Sequence, residues 1–123
     1  MTQATLFRVF LLNATVLLTH QIDAAYWHEW DMFRIPGGNQ VNLLLNVPII
    51  ALVLAAFAEV ARDGARTRQA HGLLIFLGLL TVSLHSLFFA LGHEQFLQPM
   101  SLVLLVGTGL LSVLQWMLLR RAR

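Results

Sequence analysis

The sequence predicts an all-α fold, a four-helix transmembrane bundle of up-down topology, and three observations carry that expectation. Of the 123 residues, 58% are hydrophobic and 11% charged, far below the roughly one-quarter charged fraction that coats a water-soluble domain of this size. Nearly uncharged runs cover residues 41–61, 72–92 and 99–119, each as long as the ~20 residues needed to cross a hydrocarbon core. The links between the runs are short, which makes consecutive helices antiparallel neighbours.

The first helix is expected over residues 5–22. It is the least apolar of the four, holding Arg8, Asn13 and His20. Arg8 sits one turn from its start, where a long side chain can reach the headgroups. The stretch 9–18 resembles the apolar region of a secretory signal. His20, Gln21, Ile22 and Asp23 follow it where small residues would mark cleavage, so the segment is read as a retained helix. The chain is expected to form a single transmembrane domain over residues 1–123.

Residues 23–40 are more than a linker. Tyr26, Trp27, Trp30 and Phe33 fall on one broad face of a helix, with His28, Glu29 and Asp31 largely opposite. Tyrosine and tryptophan favour the headgroup level. The spacing predicts a helix over about 24–33, either an extension of the first helix or a short interfacial one. Pro36, Gly37 and Gly38 then end it. Pro48 is expected to kink the second long helix.

Arginine placement predicts orientation. Arg62, Arg66 and Arg68 crowd the loop 62–71, and Arg120, Arg121 and Arg123 end the chain. The first loop sets Arg34 against Asp23, Glu29 and Asp31, and the loop 93–98 holds Glu94 and no base. The positive-inside rule therefore puts both termini and the second loop in the cytoplasm. These arginines flank apolar runs and form no separate basic face, so the expected partner is the lipid bilayer and not nucleic acid. A homo-oligomer or a membrane partner is compatible with the pattern. No cysteine is present, which excludes disulfides and thiolate metal sites.

Chemistry-bearing residues gather toward the predicted outer side. His20 and Asp23 share a helical face at i, i+3, and Asn13 lies two turns below on that face. His28 and Asp31 repeat the spacing, about 12 Å further along a straight helix, so the two pairs can share a site only if the chain bends. His85 lies seven residues before Gly92, about 10 Å below the helix end, at a depth where an ionisable group is costly and faces the bundle interior. His93, Glu94 and Asn46 lie toward the same side. His71 stands among arginines at the other end, and no comparable cluster is expected there.

Three readings fit this convergence. One is a metal site for zinc or iron, with His20, Asp23 and His85 as the ligands and Asn46, His28, Glu29, Asp31, His93 and Glu94 in support. A second is acid–base or relay chemistry by an Asp-oriented histidine. A third is packing, since polar residues often bridge membrane helices. Ser101, Thr108, Ser112 and Gln115, with Gly107 and Gly109 beside them, are expected to line the bundle centre as a packing stripe.

The run from His20 through Asp23, Trp27, His28, Glu29, Trp30, Asp31 and Phe33 to Pro36-Gly37-Gly38 resembles the signature of an uncharacterised family of small bacterial four-helix membrane proteins. The resemblance implies a bacterial inner-membrane location and no particular activity. A looser likeness, to membrane proteins named for a His-x-x-Glu-Glu motif, meets Asp23 and Ala24 where that motif has two glutamates. The function expected is metal or small-ligand binding near the outer face. A structural accessory subunit and an oligomeric channel or transporter are the alternatives.

Overall fold

The computed structural model describes residues 3–122; Arg123, counted above among the orienting arginines, lies outside them. Five helices follow one another: α1 (Gln3–Tyr26), α2 (Glu29–Met32), α3 (Gly38–Ala61), α4 (Thr67–Ala90) and α5 (Pro99–Arg121). No strand occurs among the described residues. All but α2 are long and apolar enough to cross a membrane. A helix satisfies its own backbone hydrogen bonds, as lipid requires. The expected all-α bundle is present, with longer helices than the apolar runs alone mark.

α5 packs most extensively against α4 and α1, and α3 lies against α4 and α1. The order around the bundle is therefore α1, α3, α4, α5, with α1 and α4 diagonal. The buried positions explain the packing. In α1 they are Leu6, Phe10, Asn13, Ala14, Leu17, His20 and Ala24, and in α5 Ser101, Leu104, Leu105, Thr108, Ser112, Gln115 and Leu118. Apart from Ala14 and Leu105, which lie beside the stripe, both series run in steps of three or four, which keeps a helix facing its neighbours along its length. α3 buries only Val53, Ala56 and Val60 and turns its leucines outward. Pro48 lies inside α3, exposed, with helix on both sides.

The turns are tied down individually. At the α3–α4 hairpin, Glu59 accepts bonds from the Arg62 side chain and from the Arg66 backbone N–H. Thr67 bonds the Glu59 carbonyl. At the opposite end, here called the α2 end, the predicted helix over 24–33 is interrupted. α1 stops at Tyr26 and His28 adopts a left-handed φ of 53°. α2 then begins in a new direction. The aromatic residues consequently do not share one outward face: Tyr26 is exposed, whereas Trp30 is buried under the stacked His28 ring at 4.7 Å.

Candidate metal centre at the α2 end

His20 comes from α1 and His85 from α4, across the diagonal of the bundle. Both are almost fully buried, at 1% and 2% exposure, and their rings meet edge to face with centroids 4.8 Å apart. Sequence reasoning matched their depths, and the bundle brings them into contact. Phe96, from the α4–α5 connection, closes over them with no exposed surface, its ring 4.5 Å from His85 and 5.5 Å from His20. Phe96 sits at φ 68°, a conformation costing a non-glycine residue roughly 1–2 kcal/mol. Of the four described non-glycine residues at positive φ, His28, Arg34, Asp63 and Phe96, the first and last thus shape this site. Nothing in the spacing of the 93–98 loop announces Phe96.

Glu29 is the third member of the group. One ligand atom each from His20, Glu29 and His85 lies within 4.8 Å of the others. On a straight helix Glu29 would stand nine residues, about 13 Å, beyond His20. The left-handed turn at His28 folds it back instead, and its Oε1 comes to 3.4 Å from His85 Nε2. Asp23 stands beside the trio. Its Oδ2 is buried without a hydrogen-bond partner, and its charge acts on Glu29. Burial first, and Asp23 second, push the Glu29 carboxyl up to about 7.

The tautomer of His85 follows from its surroundings. Its Nδ1 lies 2.8 Å from the Thr81 carbonyl oxygen, which can only accept, so Nδ1 carries the proton. In the neutral ring Nε2 then presents a lone pair, and it presents it to a carboxylate. His20 Nδ1 is likewise buried and unpartnered. The His85 lone pair, the unpartnered His20 Nδ1 and two carboxyl groups converge there with no hydrogen bond among them. A bridging cation or proton relieves that arrangement. The 3.4 Å separation matches the spacing of two ligands on one ion, which at bonds of about 2.1 Å and tetrahedral angles is roughly 3.4 Å.

The remaining predicted site residues lie further out. Asn46 joins an amide ladder: Gln21 Nε2 donates to Asn46 Oδ1 at 2.8 Å, and Asn46 Nδ2 donates to the Asn42 carbonyl at 2.9 Å. His28 and Asp31 are exposed and 3.9 Å apart. His93 is half-buried against Phe88, and Glu94 is exposed.

Toward the other end His71 joins a hydrogen-bonded network of amides and hydroxyls that was not expected to include it. His71 is buried at 1% exposure, and its Nδ1 accepts a 2.8 Å bond from Gln115 Nε2. Asn13 Nδ2 donates to Gln115 Oε1 at 3.0 Å and to Ser112 Oγ at 3.1 Å, while Thr108 Oγ1 donates to Asn13 Oδ1 at 2.9 Å. A readable signal existed: His71 and His85 are fourteen residues apart, two heptads, so if one faces inward the other does too. The α5 stripe faces the centre as expected.

Fold and cluster together define a small helical protein of membrane-spanning proportions with a buried His–Glu–His group at one end. The chain belongs to the family of unknown function DUF6713, whose model matches residues 6–122. It matches no curated protein and no solved structure.

Proposed function

We propose that this chain is a single membrane-embedded domain that binds one divalent transition-metal ion through His20, Glu29 and His85. The observation that carries the reading is the lone pair of His85 Nε2 held against the Glu29 carboxylate, with His20 Nδ1 unpartnered beside them. Two imidazoles and a carboxylate suit zinc, or iron(II) with open positions. Thr81 orients His85 from behind, as outer partners of ligating histidines do. Asp23 takes the role of a neighbouring charge that favours a cation, in place of the direct ligand expected from sequence. Three protein ligands leave a coordination position for water or another molecule, the arrangement of reactive rather than purely structural zinc sites. The resemblance to small bacterial membrane proteins supports a bacterial inner-membrane location, and the arginine bias supports cytoplasmic termini with the metal near the outer face.

The network of Asn13, Thr108, Ser112, Gln115 and His71 supports a different role for the other end. Its donors and acceptors are nearly all matched, so it serves helix registry. The deciding measurement is elemental analysis of the full chain, purified in detergent without chelator and then equilibrated with zinc or iron(II). About one metal per chain is expected, lost in His20→Ala and in His85→Ala. A parent protein that retains none would overturn the reading.

A further inference from the structure

We propose that the cavity beside the His20–Glu29 edge binds a membrane-dissolved amphiphile with a neutral oxygen headgroup, of the class of a single-chain alcohol. The cavity measures about 210 Å³, larger than the ~150 Å³ apolar void that accepts benzene and far too small for a two-chain lipid. Its lining is graded along the bundle. His20, Gln21, Glu29, Asn42 and Asn46 line it toward the α2 end, and Leu17, Ile49 and Leu77 line it toward the middle. A polar end at the helix termini and an apolar end at mid-bundle give the orientation of an amphiphile in one leaflet. Leu45 and Leu80, on α3 and α4, also line it and are themselves 44% and 40% exposed. They mark a side opening toward the surface that lipid would cover.

The polar end selects the headgroup. The amide ladder uses one N–H of Gln21, leaving its carbonyl oxygen and second N–H for a hydroxyl, which both donates and accepts. Charge disfavours an anionic head, because the Glu29 carboxyl lines the polar end and Asp23 stands beside it. Contact of the headgroup oxygen with the ion rests on the metal reading; the cavity and ladder do not.

The test uses the full chain in phosphatidylcholine nanodiscs, with Trp27→Phe and Trp116→Phe, so that Trp30 in the cavity wall is the sole tryptophan. The probe is 2-bromo-octan-1-ol, whose bromine lies beside the hydroxyl, near Trp30, and quenches indole fluorescence. Saturable quenching is expected, with affinity at least about tenfold above that for 2-bromo-octane, 2-bromo-octanoate or 2-bromopropan-1-ol. It should weaken about tenfold in Leu80→Phe, which narrows the exposed opening with little threat to folding, and in Gln21→Leu. Linear quenching, or equal quenching by 2-bromo-octane, overturns the proposal. Equal binding of 2-bromopropan-1-ol overturns the membrane source in favour of a water-borne alcohol. Each titration is run zinc-loaded and after EDTA. Saturable binding in a protein that holds no metal upholds the cavity and sinks the metal reading, whereas retained metal without binding does the reverse.

Discussion

His85 holds its Nε2 3.4 Å from the Glu29 carboxylate while its Nδ1 is already committed to the Thr81 carbonyl. A neutral histidine fixed in that tautomer cannot donate to the carboxylate it faces. Only a proton or a metal ion makes the pair attractive, and His20 stands in ring contact to supply a further nitrogen.

Glu29 and Asp23 are separable by substitution. Glu29→Gln removes a ligand charge and is expected to lower metal affinity by more than about 100-fold. Asp23→Asn removes only a neighbouring charge and should cost about 10–100-fold. Competition titrations with a chromogenic chelator measure both. The reverse ranking would make Asp23 the ligand.

Metal retention should depend on pH with a definite sign. The ligand form of Glu29 is the carboxylate, and its proton is held up to about 7. Protons therefore compete with metal as pH falls through and below that value. Full occupancy is expected above about pH 8, with progressive loss toward pH 6, read by metal release after rapid desalting. Loss only on the alkaline side would contradict the ligand set.

Asn13 makes three side-chain bonds across to α5. Such bonds in membrane proteins average about 0.6 kcal/mol each, so Asn13→Leu should destabilise the bundle by about 2 kcal/mol in detergent unfolding. Metal content should not change, because the network lies toward the other end of the bundle. A variant that loses metal while keeping its stability would join the two clusters functionally.

Gly78 sits where any side chain would overlap Ser112 Oγ and crowd Thr108 Oγ1. Gly78→Ala is expected to lower the unfolding midpoint by pushing α4 away from α5. Ser112→Ala, made in the same chain, should recover part of that loss by removing the nearest atom. Additive losses would place the strain elsewhere.

Orientation is open to reporter fusions. Fusions near Gly64 and after Arg121 are expected to report cytoplasm, and a fusion near Pro36 the opposite side. A periplasmic C-terminus would move the proposed site to the inner face.

His20 and His85 were legible in the sequence because depth in a helix follows from counting residues, and an ionisable residue far from a helix end must turn inward. The α5 stripe was legible for the same reason: small and hydroxyl residues recur at helical spacing. Glu29 was not. Its aromatic neighbours read as one unbroken helical face, and on that helix Glu29 points away from His20. His71 was masked by its arginine neighbours, although its spacing from His85 carried the signal.

What the sequence alone determined is therefore the part of this protein governed by local periodicity and by lipid as solvent: four long helices, their inward stripes, and the depth of their histidines. The tertiary structure decided which carboxylate meets those histidines. His28 takes a left-handed conformation that is uncommon for any non-glycine residue. Only the packing of Trp30 beneath it, of Phe33 against Phe88 and of Glu29 against His85 holds it there. The last two contacts join α2 to the distant α4, so no local pattern could announce the bend that completes the site.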